Sequence, residues 1–261
     1  MFYPPDLPAR RWLEYASRQF NSIELNGTFY SLKSPAVFRR WGAETPGSGF
    51  VFAVKGSRFI THNLKLARAA GALANFYASG VLALGRKTGP FLWQLPATYR
   101  FDAERVEEFL RLLPRGTTAA ARLARRHDRR LRGGVLTRAL ARLRYRHAFE
   151  VRHPSFLTRE FYDQLEAHGG ALVVADTAGT FPCVEELTAD FVYVRLHGSR
   201  ALYASAYTES ELDRWATRVE QWAGSRGGRA GRDVYVYFDN DAFAHAPHNA
   251  LALARRLGRK P

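Results

Sequence analysis

The sequence predicts an α/β protein, a TIM-type (β/α)8 barrel with seven recognisable strands and one strand unaccounted for. Apolar, β-rich runs alternate along the chain with segments of helical periodicity, which is typical of a parallel sheet with crossover helices. The runs are almost continuously apolar, as expected for strands covered on both faces. An open doubly wound sheet is the alternative. However, no glycine-rich phosphate-binding turn follows the first run, where the chain reads SIELNGTFY.

The predicted strands share β-branched, aliphatic or aromatic residues followed by a polar residue or a turn. They cover residues 22–26, 50–55, 90–95, 148–152, 171–176, 191–197 and 233–238. No linker or internal repeat divides the chain, so residues 1–261 are interpreted as one domain.

Helical periodicity between these strands predicts helices over 7–20, 102–113 and 158–168. It also predicts a fourth helix that begins after Thr208 or Ser210 and runs through Trp222, and a last helix that begins at Pro247. Asp102 is a plausible N-cap, and Gly169 is a typical C-terminal signal. Thr208 or Ser210 can cap the fourth of these helices, and Pro247 suits the first turn of the fifth.

The formal net charge of +15 is concentrated in one segment. Residues 115–146 contain eleven arginines and a single acid, Asp128, and we treat 115–147 as an Arg-rich connecting segment within the domain. Such a surface can bind nucleic acid by neutralising phosphates. The plainer interpretation is a solvated connection. Since the segment follows a helix and precedes a strand, part of it should lie at the barrel end away from an active site.

Several features indicate a cytoplasmic protein that is not inserted in a membrane. No run of eighteen apolar residues is present, and the N-terminus lacks the apolar core of a secretory signal. Cys183 is the only cysteine, so no internal disulfide can form.

Polar side chains come at or near the ends of six predicted strands, and residues two apart share a face of their strand. In a parallel barrel these ends meet at the rim where barrel enzymes carry out their chemistry. The rim would collect Glu24, Asn26, Lys55, Gln94, Glu150, Arg152, Asp176, Arg195 and His197, with His153 and Asn240 beside them. Ion pairs that simply close the barrel are the structural interpretation of the same pattern.

No cofactor can be identified from the sequence. His62, His153, His245 and His248 could ligate a divalent metal together with the carboxylates, but no HExxH spacing and no cysteine pair supports one. The metal requirement therefore remains open. Neither a G-x-S-x-G elbow nor a Walker motif is present.

The ordered motifs NSIELNGTFYSL, FAVKGSRFITH, LWQLP, FEVRHPSF, VVADT, FVYVRLHG and VYVYFDND resemble the YecE-like family, also called domain of unknown function 72. The resemblance covers nearly the whole chain. It implies a TIM barrel and points to the same strand-end residues, but it supplies no established reaction.

One departure from that family concerns the N-terminus. Family members normally begin with a strand and turn similar to G-T-S-G-W before the FYPP element, whereas here FYPP directly follows Met1. The resemblance therefore implies that the first strand is truncated or absent here. We favour a start placed too late over a barrel with a gap, in which strands 22–26 and 233–238 would be unpaired neighbours.

The leading hypothesis is an enzyme, a hydrolase, lyase or isomerase, that binds an anionic small molecule, such as a phosphorylated one, at the rim. Glu150, Asp176 and His197 would move protons. The predicted binding residues are Glu24, Asn26, Lys55, Gln94, Arg152, His153, Arg195 and Asn240, with Lys55, Arg152 and Arg195 holding the anion. The alternatives are a nucleic-acid-binding or phosphodiester-acting protein that uses 115–146, and a non-catalytic accessory barrel. The sequence does not specify the oligomeric state.

Overall fold

The fold was examined in a computed structural model that describes residues 2–131, 134–224 and 231–258. Seven parallel strands form a sheet in which each strand pairs with the next along the chain. They are β1 (Ser22–Leu25), β2 (Val51–Lys55), β3 (Thr88–Gln94), β4 (His147–Glu150), β5 (Gly170–Asp176), β6 (Phe191–Leu196) and β7 (Asp233–Phe238). This confirms the predicted α/β barrel architecture.

Alternation along the strands separates a barrel interior from an outer layer. Small and aromatic side chains fill the interior, among them Ala53, Leu92, Ala148, Val173, Tyr193 and Tyr237. The intervening residues, such as Val54, Trp93 and Phe149, face outward and form a separate core with the surrounding helices. Each strand is therefore buried on both faces, which explains the near-continuous apolar runs.

The helices pack around this sheet. In the part of the chain that the structure describes they are α1 (Trp12–Gln19), α2 (Gly27–Tyr30), α3 (Pro35–Ala43), α4 (Ala70–Ala78), α5 (Ala103–Leu112), α6 (Thr117–Ala124), α7 (Arg159–His168), α8 (Glu209–Ala223) and α9 (His245–Arg256). Short 3-10 turns occur at Ala9–Arg11, Val81–Lys87 and Pro154–Phe156, and a π turn at Phe59–Asn63.

Side chains at the helix ends satisfy free backbone groups as the sequence predicted. The Asp102 carboxylate accepts a hydrogen bond from the Arg105 amide at the start of α5. Thr208 and Glu211 form a reciprocal capping box at the start of α8. Gly169 ends α7 in a left-handed conformation at φ 65°. The last helix begins at His245, two residues before Pro247, so Pro247 lies within its first turn.

A seam separates β1 from β7. Within the described ranges no backbone ladder joins these two strands, although Ser22 Oγ lies 2.5 Å from the Tyr237 hydroxyl. A cavity of about 800 Å³ opens here, lined by residues of β1, β7, α8 and α9. Most residues of β1 and β7 are half-buried, whereas the residues of β4 and β6 are all buried. The barrel is therefore nearly, but not fully, closed.

The Arg-rich segment lies at the amino-terminal end of the barrel. Arg144 Nη1 is 2.5 Å from Asp190 Oδ2, just before β6, and Arg146 Nη1 is 2.6 Å from Asp233 Oδ2, at the start of β7. These two ion pairs fix the segment opposite to the strand ends where catalysis is predicted. Arg132 and Gly133 of the segment, like Met1, fall outside the described residues.

None of the helices within the described ranges combines the length and the hydrophobicity that a membrane crossing would require.

Candidate active site at the carboxyl ends of the strands

A buried ion pair forms the centre of the rim. Glu150, the last residue of β4, places Oε2 2.7 Å from Nη1 of Arg195 in β6, and the side chains are 1% and 0% exposed. Both residues occupy interior-facing positions, Glu150 two after Ala148 and Arg195 two after Tyr193. The alternation of the strands therefore brings them together above the apolar interior.

Arg195 is surrounded by carboxylates. Its Nη2 lies 2.8 Å from Glu24 Oε1 and 2.9 Å from Asp239 Oδ2, and its Nε lies 3.1 Å from Glu24 Oε2. The Tyr193 hydroxyl donates a further hydrogen bond of 2.6 Å to Glu24. Arg195 Nη1 also lies 3.3 Å from His197 Nε2. Because all five N–H groups of Arg195 then have partners, this guanidinium organises the site and has no donor group left for a ligand.

His197 lies between two carboxylates. Its Nε2 is 3.7 Å from Glu150 Oε1, and its Nδ1 is 3.1 Å from Asp239 Oδ2. The second contact lacks the alignment of a regular hydrogen bond. Nδ1 is therefore a buried polar atom without a hydrogen-bond partner among the described residues. His197 is completely buried, whereas the Asp239 side chain is 25% exposed. Asp239 therefore connects the buried imidazole with the surface.

Arg152 lies nearer to solvent than Arg195. Its Nε is 3.1 Å from Glu150 Oε1, and its Nη2 donates to the Tyr203 hydroxyl at 3.0 Å. The guanidinium packs over the ring of Phe181, 4.6 Å from its centroid. Among the described residues Nη1 makes no hydrogen bond, so its N–H groups stay available to a ligand.

Gln94 and Lys55 complete the cluster from β3 and β2. Gln94 Nε2 donates to Glu150 Oε1 at 2.8 Å. Lys55 is 7% exposed, and its Nζ lies 4.6 Å from the centroid of the Phe29 ring. Within the described part of the chain its Nζ has neither a hydrogen-bond partner nor a carboxylate within 4.0 Å. Lys55 is therefore the least satisfied charged residue of the cluster.

The charges of the cluster control its protonation. Burial alone would raise the pKa of Glu150, but Arg195, His197, Arg152 and Lys55 outweigh it and hold that pKa well below its usual range. In the same way burial alone would raise the pKa of Asp239, but His197 and Arg195 outweigh burial and lower that pKa. Both carboxylates are therefore ionised at neutral pH.

Seven of the predicted site residues come together in this cluster, drawn from β1 to β4 and β6 and the residues after them: Glu24, Lys55, Gln94, Glu150, Arg152, Arg195 and His197. Their roles in binding or catalysis remain predictions.

Asp176 lies apart from the cluster. It shares the outward face of β5 with Leu172 and Val174, and its Oδ2 accepts a hydrogen bond from the Tyr207 hydroxyl at 3.0 Å. The expectation that it joins the charged rim is corrected here, because Val173 and Ala175 are the residues of this strand that face the interior. No observation tests its predicted catalytic role.

Three further predicted residues lie outside the cluster. His153 Nδ1 accepts from the Ser155 amide and caps the turn at Pro154–Phe156. Asn240 donates to Ser205 O and to Asn249 Oδ1, which ties the loop after β7 to α9. Asn26 is the N-cap residue directly before α2, and its Oδ1 is buried without a partner among the described residues.

The sequence analysis missed Asp239 and Tyr203. Asp239 continues the alternation of Tyr235 and Tyr237 by one step beyond β7, so the pattern could have identified it in place of Asn240. Tyr203 lies in an irregular loop with a φ of 63°, and no periodicity marks it.

Exposed aromatic side chains surround the same end of the barrel. Tyr30, Phe59 and Phe243 are exposed, and they follow β1, β2 and β7 respectively. Across the described ranges no three His, Cys, Asp or Glu side chains converge in a way that would hold a metal ion. The arrangement is a charged, largely desolvated site in which an imidazole and an amine lie beside carboxylates. Such a site can support general acid–base chemistry.

Comparisons with known proteins agree with the fold. The crystal structure of a DUF72 family protein from Thermotoga maritima is 26% identical, with a TM-score of 0.73, over 98% of this chain and 93% of that chain. A DUF72 family protein from Enterococcus faecalis is 17% identical, with a TM-score of 0.69, over 95% and 88%. The second likeness shows the fold alone.

The sequence comparisons identify the family. UPF0759 protein YecE of Escherichia coli (strain K12) is 34% identical over 87 residues, which are 33% of this chain and 31% of that protein. The match thus spans less than a third of this curated relative. The family model described as "Protein of unknown function DUF72" matches residues 1–261. This chain therefore belongs to the DUF72 family.

Proposed function

We propose that the chain is an enzyme whose charged cluster binds an anionic small molecule and transfers protons to or from it. One observation carries this proposal. Buried ionisable groups from β1, β2, β4, β6 and the residue after β7 converge at the carboxyl ends of the strands. Among the described residues His197 Nδ1 is buried without a hydrogen-bond partner, and the 7% exposed Lys55 has no carboxylate within 4.0 Å of its Nζ. A network that served only to close the barrel is expected to pair each of its buried charges.

Arg152 is the residue that holds the anion in this proposal. Its Nη1 is free among the described residues, and the ring of Phe181 fixes the plane of the guanidinium. A phosphate or carboxylate can be bound by such a fork in a defined orientation. Lys55 adds positive potential, and Arg195, which was predicted to bind the anion directly, instead positions Glu24, Glu150 and Asp239.

His197 and Asp239 are the proton-transfer pair in this proposal. The imidazole lies 3.1 Å from Asp239, which is the more exposed partner and would therefore meet the substrate first. Glu150 is a positioning residue, because Gln94, Arg152 and Arg195 engage both of its carboxylate oxygens. Hydrolysis, elimination and isomerisation all need this kind of acid–base help, so the proposed class is a hydrolase, lyase or isomerase. A cytoplasmic location is part of the proposal and rests on the single cysteine.

The test is a thermal-shift screen of phosphorylated and carboxylated metabolites, followed by titration of any compound that stabilises the protein. Arg152→Met should abolish the shift. Arg111→Met is the matched control, because Arg111 lies on the exposed side of α5 and pairs with Glu107. Stabilisation that survives Arg152→Met would exclude the proposed anion contact. If no compound shifts the melting temperature, the cluster is better explained as part of a non-catalytic accessory barrel.

Binding of nucleic acid is the second candidate. Arg115, Arg122, Arg142 and Arg144 line a cavity of about 490 Å³ at the start of α6, at the opposite end of the barrel. A salt titration of binding to a short duplex tests it, and Arg122→Gln should weaken the binding and reduce its salt dependence. A lack of binding at low salt would exclude this function.

A further inference from the structure

We propose that Lys55 is a nucleophile that forms an imine with an aldehyde or ketone group of the substrate. This inference rests on the proposed function and narrows its substrate class. The amine, Lys55, ends β2, and the binding cation, Arg152, follows β4 by two residues, with β3 between these strands, so both lie at the carboxyl ends of the sheet. The substrate would therefore be a small carbonyl compound that also carries a phosphate or carboxylate.

The environment of Lys55 favours an amine over an ammonium ion. An ammonium needs three acceptors, and none lies within hydrogen-bonding distance of Lys55 Nζ among the described residues. The nearest group that could stabilise its charge is the face of Phe29, 4.6 Å away. A neutral amine at this position leaves fewer donors unsatisfied and presents a lone pair to a ligand.

Lys87 provides an internal contrast. Burial lowers the pKa of both lysines. The Lys87 ammonium, however, donates to Gly42 O at 2.5 Å, Thr45 O at 3.0 Å and Thr45 Oγ1 at 2.9 Å. These acceptors hold its proton and occupy its hydrogen-bonding directions. The difference between the two residues thus lies in their contacts, and only Lys55 also lies beside the charged cluster.

The groups that face Lys55 act in opposite directions. Burial is the main cause of its lowered pKa, and the charge of Arg195 adds to it. Glu24, Glu150 and Asp239 act against this shift, but Arg195 engages all three at 2.7 to 2.9 Å. His62, whose pKa is lowered to about 4 by burial and by neighbouring cations, is neutral at pH 7 and adds no positive charge beside Lys55.

The covalent step needs no oxidant or reductant. The Lys55 nitrogen lone pair attacks the carbonyl carbon, a C–N bond forms, and the carbonyl oxygen takes up a proton to give a carbinolamine. The hydroxyl group then takes up a second proton and leaves as water while the nitrogen lone pair forms the C=N bond. The two protons that the nitrogen loses balance the two that the oxygen takes up. Amine and carbonyl compound thus give imine and water, and hydrolysis reverses the step.

Reductive methylation of the full chain with formaldehyde and cyanoborohydride tests the reactivity of the amine without a known substrate. The chain has five lysines: Lys33, Lys55, Lys65, Lys87 and Lys260. Peptide mapping at pH 7 should show Lys55 modified about tenfold faster than Lys87, because three acceptors hold the proton of Lys87 and none of the described residues holds that of Lys55. Lys55 that is modified no faster than Lys87 would overturn the inference.

A second experiment uses dihydroxyacetone phosphate as the probe, with borohydride to reduce the imine to a stable secondary amine. We expect one adduct, on Lys55, that is lost in Lys55→Arg and retained in Lys87→Arg. Hydroxyacetone, which lacks the phosphate, should label more slowly. An adduct spread over the exposed lysines would contradict the inference. If anions stabilise the protein through Arg152 but Lys55 stays unlabelled, the proposed function stands and only the imine is excluded.

Discussion

Glu150 and Arg195 form an ion pair that is shielded from solvent on both sides, with Oε2 and Nη1 2.7 Å apart. A buried charge is costly to leave alone, and this pair is embedded in further contacts to Gln94, Arg152 and Asp239. The pair therefore connects the stability of the barrel with the geometry of the proposed site.

Replacing Glu150 with Gln should destabilise the protein. The substitution leaves Arg195 and Arg152 without one carboxylate partner in a buried environment, and removing one member of a buried pair costs about 3 kcal/mol or more. Urea unfolding at pH 7 measures this loss. Glu185→Gln is the control, since Glu185 is largely exposed and pairs with Arg218 at the surface. Equal effects of the two substitutions would contradict the buried pairing.

The contribution of Glu150 should depend on pH. Because its pKa is lower in the folded than in the unfolded chain, the stabilisation is complete above the ordinary carboxyl pKa of about 4.3 and decreases as the pH falls below it. The difference in unfolding free energy between wild type and Glu150→Gln should therefore shrink between about pH 5 and pH 3. A difference that stays constant over this range would show that Glu150 is not ionised when folded.

His147 should make the fold sensitive to mild acid. It is buried in β4 and accepts a hydrogen bond from Trp93 Nε1 at 3.2 Å, while its Nε2 donates to Pro114 O at 3.0 Å. Burial lowers its pKa to about 4, below the value of about 6.5 in an unfolded chain. The contribution of neutral His147 to the free energy of unfolding is therefore fully present above about pH 6.5. Up to about 3 kcal/mol of it is lost as the pH falls towards 4.

The measurement is urea unfolding from pH 7 to pH 4, with the imidazole of His147 followed by NMR. His147→Gln should flatten the curve in this range. His62→Gln should flatten it less, because His62 is only half-buried. An imidazole of His147 that titrates near pH 6.5 in the folded protein would refute the prediction.

Two glycine substitutions should have opposite effects. A Cβ on Gly56, directly after Lys55, would lie 2.3 Å from the Trp93 ring, so Gly56→Ala must displace the tryptophan and should cost about 1 to 3 kcal/mol. A Cβ on Gly71 in α4 meets nothing within 4 Å, and Gly71→Ala should stabilise the helix by up to about 1 kcal/mol. Thermal unfolding of both variants compares them. Destabilisation by Gly71→Ala, or tolerance of Gly56→Ala, would contradict the packing described here.

The strands could be predicted because their signal is local. Every predicted strand lies within a few residues of an observed one, since continuous apolar runs bounded by polar residues need no knowledge of tertiary contacts. The helix α4 was missed for the opposite reason. Residues 73–78 are all buried, so the helix shows no amphipathic period.

The candidate site was predicted only in part, because alternation shows which residues share a face but not which face turns inward. For β4 and β6 the polar residues shared a face that proved to be interior. For β5 the face of Asp176 proved to be the outer one. The inward face depends on strand tilt and stagger around the whole barrel, which no single segment encodes.

The most direct test of the central claim is calorimetric titration of an anionic ligand from the screen into wild type, Arg152→Met and Arg122→Met. The two variants remove one cation each from opposite ends of the barrel. We expect the affinity to fall at least about tenfold in Arg152→Met, as for loss of a charge-assisted contact, and to stay unchanged in Arg122→Met. Unchanged affinity in Arg152→Met together with a loss in Arg122→Met would contradict the claim and place anion binding on the Arg-rich segment.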